Sequence, residues 1–284
     1  MYVNIFKNLF LEHVKFPQNF RINNLKDLSK IMKAFQSTTP YNNLNILDGS
    51  WGIETFDKIT KKVLIEKTGG FCYQLNSVLN HFMKVNGMNV KLVKAFKSDK
   101  NLHENLRFHF LNILNYNGKV CIVDVAAGSA SPLQPVVIDC QSEKDIVIGL
   151  NGNQCRSIKH THGTFLYQTK SPNDREWKTI YHFNLRPVIG LDEFHHAQFY
   201  GGVKHSYFNQ RPLVNILTAD KSLKVSSIFT LTDSSFTKTK KENQKTKKKI
   251  ENNQMFNSYL QNQFNYGKSF EIKQSYHDSL NKPI

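Results

Sequence analysis

Two β-prone runs joined by Asn117-Gly118 restrict the folding of this chain more than any other feature. Residues 107–116 and 119–125 are rich in Phe, Ile, Leu and Val, which are common in strands. An Asn-Gly dipeptide between two such runs favours a two-residue turn, because both turn positions need a positive φ. The sequence therefore predicts a tight β-hairpin.

The register of this hairpin decides which side chains share a face. With a two-residue turn, Leu111 lies directly opposite Asp124, and residues two apart on one strand point to the same face. His109 and Asp124 are therefore diagonal neighbours within side-chain reach. Cys121 has the opposite parity, so it points to the other face unless a β-bulge intervenes.

Cys72 opens the clearest amphipathic helix of the chain, which the apolar spacing predicts over Phe71–Val85. The start of a helix presents unpaired N–H groups and a partial positive charge, and both stabilise a thiolate. Gly69 and Gly70 permit close approach of chain or substrate to the sulfur. The alternative is that Cys72 is a small buried apolar residue, as free cysteines commonly are.

A cysteine nucleophile needs a base, and the base needs an orienting group. His109 and Asp124 provide both on one hairpin face, beside the small-residue loop Ala126–Ser131. Singly, His109 could be a hydrogen-bonded barrel residue and Asp124 a strand-end cap. Together with Cys72 upstream, they predict a Cys-His-Asp catalytic triad.

The other cysteines give no sign of zinc or of disulfides. No CxxC pair is present, and Cys155 beside His160 and His162 is a weak metal motif. A chain of 284 residues can bury a core without disulfides. No apolar run of bilayer length and no signal-peptide pattern is found. We therefore expect four free thiols, no metal, no membrane partner and a cytoplasmic location.

The net charge of +16 favours anionic partners in general. Its densest part is Lys238–Lys249, with seven lysines and one glutamate. The run contains no arginine and no interleaved aromatic residue, so we expect no nucleic acid to bind there. We interpret it as a solvated loop or hairpin, in a low-complexity, mobile segment over residues 238–253.

The remaining patterns divide the chain into three regions. Residues 1–88 are mainly helical, residues 89–187 are mainly β and residues 188–284 are mixed. Further helices are predicted at 27–35, 56–65, 192–200 and 252–264. Further strands are predicted at 90–96, 164–168, 179–185, 213–218, 224–230 and 235–239.

At the candidate site the sequence resembles the arylamine N-acetyltransferase family. Thr68–Asn76 reads TGGFCYQLN and resembles the family motif Arg-Gly-Gly-x-Cys-[Phe/Tyr]-Glu-x-Asn. Pro40–Asn45 reads PYNNLN and resembles Pro-Phe-Glu-Asn-Leu-Asn. Other similar segments are Phe108–Leu111, Val123–Gly128, Trp177–Pro187, His205–Phe208 and Leu217–Asp220.

The resemblance implies an α+β fold with an N-terminal helical bundle, a central β-barrel and a C-terminal α/β lid around a cysteine-protease-like core. It implies acetyl-CoA as the donor co-substrate and small arylamines or arylhydrazines as acceptors, through a ping-pong reaction with an acetyl-cysteine intermediate. The implied residues are Cys72, His109 and Asp124 for catalysis, Gly128, Tyr200 and Ser206 for CoA, and Tyr41, Phe71 and Ala127 for the acceptor.

The chain departs from the family motifs without losing a triad member. Thr68 stands where arginine is usual, and Gln74 and Asn42 stand where glutamates are usual. Ala126 replaces a usual glycine, and Ala127 stands where an aromatic residue is common.

Two other functions use the same residues differently. A thiol hydrolase of the papain or transglutaminase kind would share the Cys-His-Asp logic but pass the acyl group to water or a peptide amine. A non-catalytic relative would bind CoA-like ligands or nucleic acid through its lysines. The presence of all three candidate triad residues argues against the second. The oligomeric state is not indicated by the sequence.

Overall fold

Helices form the first part of the chain, an eight-stranded sheet the middle, and a five-stranded sheet with one helix the last part. The computed structural model describes residues 2–50, 54–97, 108–149, 152–161, 163–189, 207–240 and 244–272. This arrangement confirms the predicted α+β fold class. Among the described residues, no helix combines the length and the apolar character that a bilayer crossing needs.

The helices predicted at 27–35, 56–65, 71–85 and 252–264 are present, whereas the helices at 2–13 and 44–47 were not predicted. The helices are α1 (Tyr2–His13), α2 (Leu25–Thr38), α3 (Leu44–Leu47), α4 (Phe56–Thr60), α5 (Cys72–Val85) and α6 (Asn253–Phe264). The side chain of Asn24 accepts a hydrogen bond from the Asp27 N–H and so caps α2. Helix α4 continues into a π-helical turn over Lys61–Ile65, which explains the single predicted helix at 56–65.

The helical region packs around aromatic side chains. The ring of Phe10 stacks on Phe35 at 5.2 Å and on Phe82 at 3.9 Å between centroids. All three side chains are buried, and each contributes on the order of 1.5–3 kcal/mol by leaving water. This packing ties α1 and α2 to α5 and thereby holds the helix that begins at Cys72.

Thirteen strands form two antiparallel sheets in the described chain. They are β1 (Tyr41–Asn42), β2 (Asn89–Lys97), β3 (Phe108–Tyr116), β4 (Lys119–Val123), β5 (Val136–Val137), β6 (Val147–Ile148), β7 (Gln154–Lys159), β8 (Thr164–Lys170), β9 (Lys178–Pro187), β10 (Leu213–Ala219), β11 (Val225–Thr232), β12 (Ser235–Lys240) and β13 (Lys245–Lys249).

The eight-stranded sheet has the order β5-β4-β3-β2-β9-β8-β7-β6. A bridge between Pro132 and Gly149 links the two ends, so the sheet is a nearly closed barrel. Tyr116 pairs with Lys119 and Asn112 with Val123, as the Asn-Gly turn predicts. Asn117 and Gly118 both have positive φ, the geometry of that turn.

The five-stranded sheet has the order β1-β10-β11-β12-β13. Its first strand comes from the N-terminal region, since Tyr41 pairs with Asn215 of β10. Helix α6 covers one face, where Phe236 stacks on Tyr259 at 4.4 Å. The predicted region boundaries at 88/89 and 187/188 stay predictions.

Some elements differ from the sequence-based expectations. Strands β5, β6 and β7 were not predicted; the first two have only two residues each, too few for an alternating pattern to be seen. The predicted mobile segment contains the regular strand β13, because its backbone pairs with β12 along five residue pairs. The predicted helix at 192–200 lies outside the described residues.

Candidate active site

Cys72 lies at the first residue of α5, in a loop that needs its glycines. Gly69 has a φ of +60°, and a Cβ atom there would collide with the carbonyl of Pro40. The N–H of Gly70 donates to that same carbonyl at 3.2 Å. A bridge between Tyr41 and Gly70 also ties the loop to β1, so the start of α5 lies beside this strand.

A buried polar network holds the loop that precedes Cys72 in place. The side-chain carbonyl of Gln74 accepts a hydrogen bond from the Phe71 N–H at 2.8 Å, and its amide donates to Glu54 at 2.6 Å. Glu54 also accepts from Tyr73 at 3.0 Å and pairs with Lys62 at 2.5 Å. The loop therefore relies on one buried carboxylate that is 5% exposed.

His109 and Asp124 meet as the hairpin register predicts. The distance from Nε2 of His109 to Oδ2 of Asp124 is 2.6 Å. The Cys72 side chain lies close enough to the imidazole to interact with its charge. The His109 side chain is 13% exposed and the Asp124 side chain is fully buried, so water competes little for these contacts.

The contacts favour the charged form of both residues. Burial alone would lower the pKa of His109, but the negative charges of Asp124 and Cys72 and their hydrogen bonds raise it to about 10. Burial alone would raise the pKa of Asp124, but His109, Asn76 and the Ala126 N–H hold it below its ordinary value. The arrangement is suited to a thiolate–imidazolium pair.

Asn76 and Tyr181 hold the carboxylate in place. Nδ2 of Asn76 donates to Oδ1 of Asp124 at 2.8 Å, and its Oδ1 accepts from the Val125 N–H at 3.1 Å. The Tyr181 hydroxyl donates to Oδ2 of Asp124 at 3.0 Å, and its ring stacks on His109 at 4.9 Å. Burial, followed by the Asp124 charge, raises the pKa of Tyr181 well above its usual range, so the hydroxyl keeps its proton.

Sequence reasoning had assigned neither residue a supporting role. For Asn76 a signal exists, because it follows Cys72 by four residues on α5 and so shares a helix face with it. Tyr181 lies in the family-like segment Trp177–Pro187, but no residue spacing indicates its contact with Asp124, because β9 is placed there by its pairing with β2.

The polypeptide matches the sequence model of a family described as N-acetyltransferase over residues 24–269. Proteins similar to it are named arylamine N-acetyltransferases. The chain belongs to the arylamine N-acetyltransferase family. The "Probable arylamine N-acetyltransferase 3" of Dictyostelium discoideum is 27% identical over 272 residues, which cover 86% of this chain and 88% of that protein.

Solved structures of arylamine N-acetyltransferases share the fold. Arylamine N-acetyltransferase C from Bacillus anthracis superposes with a TM-score of 0.77 at 27% identity, over 92% of this chain and 98% of that one. The Mycobacterium marinum enzyme in complex with CoA superposes with a TM-score of 0.78 at 16% identity, over 91% and 92%. The N-terminal helices, barrel and C-terminal sheet are therefore the architecture of this family.

The predicted acceptor residues of this family member fall in two places. Tyr41 and Phe71 touch edge to face at 5.9 Å, and Phe71 contacts Phe208 in the same way at 5.1 Å. Ala127 is half-buried and precedes the short 3₁₀ turn Gly128–Ala130, three residues after Asp124.

The predicted CoA contacts are only partly described. Gly128 has a φ of +62°, and a Cβ atom at this position would meet nothing within 4 Å, so open space lies beside it. Tyr200 and Ser206 lie outside the described residues.

Proposed function

We propose that this chain transfers an acetyl group from acetyl-CoA to the amino group of arylamines or arylhydrazines, with Cys72 as the acetyl carrier. The observation that carries the proposal is that Cys72 lies beside His109, which is hydrogen-bonded to Asp124. The family membership and the CoA complex of the Mycobacterium marinum relative support the donor.

In the first half-reaction the Cys72 thiolate attacks the carbonyl carbon of the thioester. Backbone N–H groups at the start of α5 would stabilise the oxyanion, because the helix dipole and the N–H groups point towards it. The C–S bond to CoA then breaks, and the imidazolium of His109 gives its proton to the departing CoA sulfur. Acetyl-Cys72 and neutral His109 remain.

In the second half-reaction the acceptor amine attacks the acetyl thioester. Neutral His109 takes the proton that the amine loses, and the Cys72 thiolate leaves, which restores the original ion pair. Asp124 orients the imidazole and stabilises its positive charge in both half-reactions. The two halves share one cysteine, so the kinetics are ping-pong.

The ligand contacts remain proposals as well. Tyr41, Phe71 and Ala127 would line the acceptor pocket, and Gly128, Tyr200 and Ser206 would contact CoA. Ala127 is smaller than the aromatic residue common in the family, so we expect the acceptor pocket to admit bulkier ring substituents. The cytoplasmic location is likewise proposed from the sequence.

The direct test is mass spectrometry after incubation with acetyl-CoA alone. We expect an acetyl group on the peptide that contains Cys72, none on this peptide in Cys72→Ser, and full labelling in the control Cys140→Ser. Addition of an arylamine should discharge the adduct into an acetylated amine. Firm binding of acetyl-CoA without any adduct would exclude the mechanism, and release of acetate instead of an amide would assign a thiol hydrolase.

A further inference from the structure

Within the described part of the chain, strand β13 is the open edge of the C-terminal sheet. It is last in the strand order, it reads KTKKK, and all five of its residues are exposed. Lys245, Lys247 and Lys249 lie two residues apart, so their side chains project from one face at intervals of roughly 6.7 Å. We call these three residues the lysine ladder.

The backbone of the lysine ladder points away from the sheet. The Gln244 carbonyl accepts from the Lys240 N–H at 2.9 Å, and the Ile250 N–H donates to the Ser234 carbonyl at 3.0 Å. Even-numbered residues therefore face β12, and the register has no bulge between them. In an antiparallel strand the alternate residues point the other way, so the ladder presents its N–H and C=O groups at the open edge.

The hairpin that carries the ladder is fixed rather than loose. Phe236 of β12 stacks on Tyr259 and meets Phe229 edge to face at 5.1 Å. Lys248, on the opposite face from the ladder, lies across from Phe236. A binding edge held in this way loses little conformational entropy on association.

The positive charge of the ladder is not neutralised within the described chain. None of its lysines belongs to an ion pair there; the pairs of the C-terminal half involve Arg211 with Asp233 and Lys268 with Glu66. In some proteins, edge lysines do no more than block pairing between two copies of a sheet. Here the charges also repeat in register with the backbone groups at the open edge, which fits an extended acidic ligand as well.

We propose that the lysine ladder is a docking edge for an acidic, extended segment of a partner protein, which adds as an antiparallel sixth strand beside β13. Its backbone would bond to the free N–H and C=O groups, and acidic side chains at alternate positions would lie opposite the three lysines. A nucleic acid or a lipid surface would use the charge but not the backbone edge. The ladder also lacks the arginines and stacking aromatics typical of nucleic-acid sites.

The test uses the full-length protein and the synthetic peptide Thr-Glu-Thr-Glu-Thr-Glu-Thr, labelled for fluorescence anisotropy. We expect binding that weakens as salt is raised. An isomer with its three glutamates adjacent should bind more weakly, because only alternate side chains face the ladder. K245E/K247E/K249E should weaken binding roughly tenfold or more. The control K119E/K159E/K178E makes the same charge change at exposed barrel lysines and should bind normally.

Backbone methylation of the peptide separates strand addition from simple charge attraction. N-methylation of the glutamates removes the N–H groups that face β13 and should abolish binding, while N-methylation of the threonines should be tolerated. Equal binding of both methylated peptides, or equally tight binding of single-stranded DNA or phosphatidylserine vesicles, would overturn the proposal. If the peptide does not bind and K245T/K247T/K249T forms a dimer, the lysines serve only to prevent two copies of the sheet from pairing, and the proposal is wrong.

The docking edge is independent of acetyl transfer. The ladder variant should keep the wild-type rate of acetyl-Cys72 formation, so failure of this proposal and failure of the proposed function give different results.

Discussion

Oδ2 of Asp124 lies 2.6 Å from Nε2 of His109, inside a barrel wall that leaves the carboxylate without contact to solvent. The same oxygen accepts the Tyr181 hydroxyl at 3.0 Å. A buried carboxylate with these partners can hold an imidazolium in one orientation. The chemistry of Cys72 therefore depends on residues that do not touch it.

Tyr181→Phe should lower kcat/KM for acetyl transfer by about tenfold, because a hydrogen bond to a charged group is lost while the ring that stacks on His109 stays. Steady-state kinetics check this. Tyr167→Phe is the matched control: Tyr167 stacks on Tyr181, but its hydroxyl donates to the Ala130 carbonyl and not to Asp124. Equal losses in the two variants would contradict the role given to Tyr181.

Gln74→Glu should destabilise the protein by about 2 kcal/mol or more, although glutamate is usual at this position in the family. The Gln74 amide donates to Glu54 at 2.6 Å, and a second buried carboxylate there would face a like charge. Urea unfolding measures the loss. The double variant E54Q/Q74E should regain at least half of it, and no regain would show that the two side chains are not coupled.

Alkylation of Cys72 by iodoacetamide at pH 7 should be about tenfold faster in the wild type than in His109→Gln, because the imidazolium stabilises the attacking thiolate. The pKa of His109 of about 10 keeps the imidazole protonated at this pH. Peptide mapping separates Cys72 from Cys121 and Cys155, whose pKa values burial raises to about 11. Equal rates in the two proteins would refute the ion pair.

Stability should fall as the pH drops from 6.5 to about 4, partly because of His13. Burial, with Lys67 and Lys15 nearby, lowers the pKa of His13 from 6.5 to about 4. As the pH falls, His13 therefore binds a proton near pH 6.5 in the unfolded chain but only near pH 4 in the folded chain. The resulting loss of unfolding free energy is absent above pH 6.5 and complete below pH 4, where it reaches about 3 kcal/mol.

His13→Gln tests this pH dependence, because glutamine can still bond to Thr39, which lies 2.7 Å from the His13 Nε2. Urea unfolding at pH 7 and pH 5 should show a smaller loss for the variant, by about 2 kcal/mol. The exposed control His160→Gln should behave as the wild type does. An equal loss of unfolding free energy in all three proteins between pH 7 and pH 5 would contradict the prediction.

Local sequence was enough to predict the elements that carry the candidate site. The period of α5 located Cys72 at a helix start, and the Asn117-Gly118 turn set a register that the strands follow. Both patterns work because neighbours along the chain decide them: helix periodicity for one, turn geometry for the other.

The tertiary structure alone decided what surrounds those residues. The contacts of Tyr181 with Asp124 and of Glu54 with Gln74 join segments 57 and 20 residues apart, and no local period encodes such pairs. The lysine run can be seen in the sequence. Only the strand order shows that β13 is an edge strand, and only the register shows that its lysines coincide with the backbone groups at that edge. Distance and orientation across the fold arise only when separate elements pack together, so sequence determined the parts and packing determined their partners.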